Sequence, residues 1–148
     1  MSNQPGFWLA TRPLSLAALL LGLMPQVVFA ADCTYREDAL GNTRYQCDDG
    51  KQGTLREDAL GNIKDSGTGI TWRTDVLGNL KSSDGTTYRE DALGHVRGSN
   101  AQTGERVTWR EDSLGNLRAS DDTVCRINAL GQLKCRGEST PPALLEGK

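Results

Sequence analysis

Thr108-Trp109-Arg110-Glu111-Asp112-Ser113-Leu114-Gly115-Asn116-Leu117-Arg118 holds, within eleven residues, a strand, a tight turn and a second strand. Asp112 and Gly115 occupy the first and fourth positions of a type I turn. Glycine there can adopt the left-handed conformation of a bulge that matches strand twist. The same string recurs at residues 34–44, 54–64, 71–81, 87–97 and, with substitutions, 124–134. The central leucines are Leu40, Leu60, Leu77, Leu93, Leu114 and Leu130, spaced 20, 17, 16, 21 and 16 residues apart. A fixed motif at such intervals marks a repeat architecture. The variable lengths fall in turn-forming linkers such as Asp48-Asp49-Gly50 and Ser83-Asp84-Gly85. Helix is disfavoured by a glycine in every unit beside threonines and aromatics. No proline interrupts residues 31–140. The expected fold is all-β: six tandem β-hairpin repeats forming an antiparallel meander or short β-solenoid, disulfide-capped at both ends. One twisted sheet and a two-layer roll are both open to this pattern.

Side chains alternate across a strand, so the parity of the offset from Leu sorts them by face. Odd offsets collect an aromatic column (Tyr35, Leu55, Trp72, Tyr88, Trp109, with Cys125 last) and an aliphatic column (Thr43, Ile63, Leu80, Val96, Leu117, Leu133). This is the expected packed face. Glu37, Glu57, Glu90 and Glu111 share its parity but stand beside the turn, where they reach water. Even offsets are polar. Four residues before Leu stand Arg36, Arg56, Arg73, Arg89, Arg110 and Arg126; four after stand Arg44, Lys64, Lys81, Arg97, Arg118 and Lys134. Between them run Asp38, Asp58, Asp75, Asp91, Asp112 and Asn128. Two readings compete for the twelve basic side chains. One is a solvated ladder of surface ion pairs. The other is a face that docks an anionic polymer or acidic partner.

The four cysteines obey the same register. Cys33 and Cys47 are each seven residues from Leu40, and Cys125 and Cys135 are each five from Leu130. Symmetry about the turn predicts the disulfides Cys33–Cys47 and Cys125–Cys135, stapling the terminal hairpins. The competing arrangement would link the two ends of the array.

Outside the repeats, residues 1–30 read as a signal peptide: Arg12 precedes the apolar run 14–23, and Val28-Phe29-Ala30 gives a small-residue cleavage pattern. Export and an even cysteine count agree. The expected division is therefore signal peptide 1–30, repeat domain 31–137 and flexible tail 138–148, with docking of Leu144 and Leu145 on the last hairpin as the alternative for the tail. After cleavage no transmembrane anchor is expected, and the location is the periplasm or the exterior. The remaining 16 basic and 19 acidic residues point to no particular partner by charge alone.

The strings Asp75-Val76-Leu77-Gly78-Asn79-Leu80 and Asp112-Ser113-Leu114-Gly115-Asn116-Leu117 resemble the YD repeat of bacterial Rhs-type proteins: an acidic residue, two spacers, Gly, a polar and then an aliphatic residue. The resemblance spans residues 34–135. The tyrosine that defines that family's motif is absent here, and six units are too few for its encapsulating shell. It implies hairpin repeats and an export or surface context. A weaker similarity is to curli-type fibre subunits, whose Gln-rich signature is missing.

No catalytic motif stands out. His95, the single histidine, fills the Asn slot of the fourth unit and reads as a turn residue. The cysteine spacing lacks the close pairs of a zinc site, the Gly-rich calcium nonapeptide is missing, and no cofactor is expected. Trp72 and Trp109 carry the parity of packing residues rather than of a sugar platform. The functional expectation is a non-enzymatic exported binding or scaffold module of the envelope or extracellular space. Its expected partner is a polysaccharide or a protein, and no nucleic acid. A subunit that self-assembles edge to edge and a periplasmic immunity or inhibitor protein are the alternatives.

Overall fold

The computed structural model describes residues 30–146. The leader assigned to residues 1–30 lies outside the described residues except for Ala30. Twelve short strands follow one another as β1 (Asp32–Glu37), β2 (Thr43–Cys47), β3 (Gln52–Glu57), β4 (Ile63–Asp65), β5 (Thr71–Thr74), β6 (Leu80–Ser82), β7 (Thr86–Glu90), β8 (Val96–Asn100), β9 (Arg106–Glu111), β10 (Leu117–Ala119), β11 (Val124–Ile127) and β12 (Leu133–Arg136). Every neighbouring pair is antiparallel. The meander closes when β12 pairs with β1, giving a twelve-stranded barrel with no free edge.

The Asp-x-Leu-Gly turn sets the pairing within each hairpin. In the first, Gly41 N–H donates to Asp38 O at 3.0 Å and Asp38 N–H donates to Asn42 O at 2.8 Å. Gly41 sits at φ 79°, as the bulge requires, and its five equivalents lie between 73° and 80°. The carboxylate of Asp38 accepts from Leu40 N–H at 2.9 Å and Asn42 N–H at 3.1 Å, closing the turn from outside. Residues three before and three after each Leu therefore oppose one another, as in Glu37↔Thr43 and Glu111↔Leu117.

The step between hairpins is equally regular. The residue three after one Leu pairs with the residue five before the next: Thr43↔Leu55, Ile63↔Trp72, Leu80↔Tyr88, Val96↔Trp109, Leu117↔Cys125 and, across the closure, Leu133↔Tyr35. Each hairpin thus slides by two residues against its neighbour, and six identical steps return the sheet to its start. A shear of twelve on twelve strands has the same ratio as eight on eight, which tilts strands by about 36°. Identical steps around a closed ring make the six hairpins equivalent. The six turns consequently lie on one circle at one end of the barrel, and all linkers lie at the other.

Odd-parity side chains point inward. Tyr35, Leu55, Trp72, Tyr88, Trp109 and Cys125 are all buried, as are Ile63 and Leu80. The Tyr45 ring lies over Gly53, where an added Cβ would come within 2.6 Å of its hydroxyl oxygen. The Tyr45 hydroxyl donates to Asp65 at 3.0 Å, and burial together with that carboxylate pushes the phenol pKa up.

Both disulfides form as the register predicts, Cys33–Cys47 and Cys125–Cys135. Because Cys33 also faces Cys135, the four half-cystines make one row across β2, β1, β12 and β11. The closure runs through the middle of that row. It is further held by Arg136, whose Nε and Nη2 donate to the two carboxylate oxygens of Asp32 at 2.9 and 3.2 Å.

The C-terminal segment corrects one expectation. Rather than hanging free, it enters the barrel. Thr123, fully buried, accepts from Glu138 N–H at 3.2 Å and Ser139 N–H at 3.3 Å. Pro141 and Pro142 are then buried, a single 3-10 turn spans Pro142–Leu144, and Leu145 is 2% exposed within the core cluster. It docks in the lumen, not on the last hairpin. The reason is volume: eight strands enclose about the space their own side chains fill, and twelve enclose more. Residues 31–148 contain no Phe or Met to take up the excess. The tail supplies the missing apolar mass.

Candidate interaction surface: a leucine rim above a basic belt

The turn that fixes each hairpin also decides where its leucine goes. Leu40 and its equivalents occupy the third turn position, whose side chain points away from the sheet. All six are 79–86% exposed. Val76, beside Leu77, is fully exposed, and Ile127 replaces the usual Glu just below the sixth turn and is also exposed. Isolated surface leucines are ordinary, but a closed ring of six on one rim is a concentrated apolar feature.

Below the rim lie the twelve basic residues. They face each other in pairs across the hairpins: Arg36↔Arg44, Arg56↔Lys64, Arg73↔Lys81, Arg89↔Arg97, Arg110↔Arg118 and Arg126↔Lys134. Their parity places all of them on the outer wall. Closure wraps the expected face into a belt around the barrel, so a flat ligand lying against the side meets only part of it. The two columns behave differently. The column after the turn is largely engaged: Arg44 with Asp38, Lys81 with Asp75, Arg97 with Asp91 and Arg118 with Asp112, at 2.8–3.0 Å. The column before the turn, Arg36 through Arg126, is exposed and takes part in none of these ion pairs.

The Asp ring is held firmly ionised. The Lys81 ammonium, followed by the bonds from Asn79, depresses the Asp75 carboxyl well below its ordinary range. The Asn116 amide and the Arg118 guanidinium do the same for Asp112. At Asp38 partial desolvation acts upward, but the bonds from Leu40, Arg44 and Asn42 prevail and bring the pKa down to about 2. These carboxylates are committed to their own turns. His95 follows the pattern: its backbone N–H donates to Asp91 at 3.0 Å, and its ring stands 3.7 Å from the same carboxylate.

Charge is distributed unevenly along the barrel axis. The turn half carries the twelve belt cations against ten acids: five turn Asp, the four Glu beside the turns, and Glu146, which lies near Glu90 and Glu111. The linker half carries nine acids (Asp32, Asp48, Asp49, Asp65, Asp84, Glu105, Asp121, Asp122, Glu138) against Lys51, Arg106 and Arg136. The leucine end is net positive and the opposite end net negative by six.

The outer wall bears these charges together with residues such as Thr34 and Gln46, so a bilayer core could not surround it. Among the described residues no helix is long and apolar enough to cross a membrane, and no group of three His, Cys, Asp or Glu side chains is placed to hold a metal ion. Trp72 and Trp109 are buried and present no stacking face. The rim itself escaped the sequence reading, because the leucines share the even parity of the polar face. One signal was available: a type I turn has no need of leucine at its third position, yet all six units keep one.

No protein-family model, curated protein or solved structure matches the chain.

Proposed function

We propose that this chain is a non-enzymatic binding module of the bacterial envelope or its exterior, and that it engages its target through the turn end of the barrel. The observation that carries this reading is the ring of six leucines, 79–86% exposed, on a rim whose backbone geometry does not depend on them. Two disulfides and an apolar leader at residues 14–23 support an exported protein. The resemblance to YD-type hairpin repeats supports the same context. Edge-to-edge assembly, the structural-subunit alternative, has less support, since every strand already has two partners. An envelope polysaccharide and a protein remain the target classes that the sequence pattern suggests.

The test is affinity capture from envelope fractions, comparing the native chain with a Leu60→Ser/Leu77→Ser/Leu93→Ser variant attached in the same way through its acidic end. The reading expects a specific component held by the native chain and lost by the variant. Equal capture by both, or none by either, would remove the rim from consideration.

A further inference from the structure

We infer that the turn end docks on the surface of an anionic phospholipid bilayer, with the leucine ring entering the boundary between headgroups and acyl chains. This rests on the proposed role of the rim and goes beyond the polysaccharide and protein classes to a different target. Three features of the molecule converge on it.

The first is shape. The repeated two-residue step between hairpins puts the six turns on one circle, so the leucine tips of a rigid barrel meet a flat surface together. A planar ring suits a plane better than a cleft or a polymer strand.

The second is the order of chemistry along the axis. Each arginine of the free column stands two strand residues behind its turn's Asp or Asn. At a rise of about 3.3 Å per residue, its Cα lies about 7 Å behind that residue, a distance its own long side chain can span back toward the rim. Interfacial protein segments bury their apolar face about 5–10 Å into the headgroup–acyl boundary. Leucines at that depth leave the arginine stems alongside the headgroups, where long basic side chains reach phosphate oxygens. Arg36, Arg56, Arg73, Arg89, Arg110 and Arg126 surround the ring on all sides, so the arrangement has no preferred tilt.

The third is polarity of charge. The turn half is net positive and the linker half net negative, which orients the barrel with its leucines toward an anionic surface and its acidic end away. The same charge argues against a second copy meeting rim to rim, since that would oppose two like-charged arginine rings.

Co-sedimentation with large vesicles tests this. The protein used is the chain from Ala31 onward, which contains all twelve strands and the docked tail and omits the apolar run at residues 14–23. Vesicles of phosphatidylcholine and phosphatidylglycerol in equal parts should retain the chain. Pure phosphatidylcholine should retain it several-fold less, and high salt should release it. Leu60→Ser/Leu77→Ser should lower the partition coefficient at least about tenfold, because two leucine side chains leave the boundary. Its thermal transition should be unchanged. Arg56→Gln/Arg73→Gln should weaken binding to the anionic vesicles several-fold and leave binding to neutral ones unaltered.

Failure to bind anionic vesicles would overturn the inference, as would binding indifferent to the leucines. A leucine-dependent dimer in sedimentation velocity without lipid would overturn it in favour of self-association. If vesicles fail while leucine-dependent capture of a protein or glycan persists, this inference falls and the binding-module reading stands. If capture also survives the serine substitutions, both fall.

Discussion

The rim of the barrel and the tail inside it use leucine in opposite ways. At the turn end six leucines project into water, and the turns beneath them are held by five Asp carboxylates and the Asn128 amide, by backbone bonds and by glycine at φ 73–80°. At the linker end the chain is irregular. Linkers differ in length, Asp122 takes a positive φ of 68°, and the tail passes inward to bury Leu145. The regular rim carries side chains the fold does not require, while the tail supplies apolar mass the repeats cannot provide. Structure and surface have been separated.

The largest effects should come from the tail. Leu145→Ala empties a buried leucine site and should cost about 2–5 kcal/mol. Ending the chain after Ser139 should cost more, because Pro141 and Pro142 leave as well. Leu77→Ala, at the exposed rim, should stay within about 0.5 kcal/mol. Urea unfolding of the three variants measures the contrast. A Leu77 effect as large as that of Leu145 would erase the distinction between rim and tail.

The closure offers a covalent test of nearly equal weight. Cys33 and Cys135 are cross-strand partners across the seam although each is bonded to another cysteine. In a Cys47→Ser/Cys125→Ser variant the two remaining thiols should oxidise to a Cys33–Cys135 disulfide within one molecule, which peptide mapping would detect. A sheet that stayed open would leave them free or joined between molecules.

That seam also marks where the sequence stops being readable. The hairpin register was legible because it is local: Asp and Gly fix the turn, and the cysteines lie symmetrically about Leu40 and Leu130. The step between hairpins was not. It is the same two residues at every junction, yet the junctions are chemically unlike. β2 and β3, like β8 and β9, run on through four paired positions before their linkers, while β4 and β5, β6 and β7, and β10 and β11 stop after two. Unequal spacings of 16–21 residues thus conceal an equal register. Closure follows only when all six steps are taken together. The tail was hidden differently: Leu144-Leu145 after two prolines is too short a pattern to distinguish docking from disorder. The basic columns were visible as residues, but their wrapping into a belt depends on closure.

The smallest effect concerns the turns and has an internal control. Asp38 has its pKa lowered from the ordinary 3.8 to about 2 by bonds that exist only in the folded turn. A depressed carboxyl pKa means stability that is present above the unfolded value and lost as pH falls through the folded one. The first turn should therefore loosen between about pH 4 and pH 2. The sixth turn carries Asn128 instead, whose amide oxygen accepts from Leu130 N–H at 2.9 Å and Gln132 N–H at 3.0 Å with no charge to lose. In an NMR titration the amides of Leu40 and Asn42 should shift with a midpoint near 2, and those of Leu130 and Gln132 should not follow. Asp38→Asn should give the first turn the behaviour of the sixth. If all six turns instead shift together, acid is acting on the barrel as a whole, and the turns are not the independent, locally held units that leave the rim leucines free of structural work.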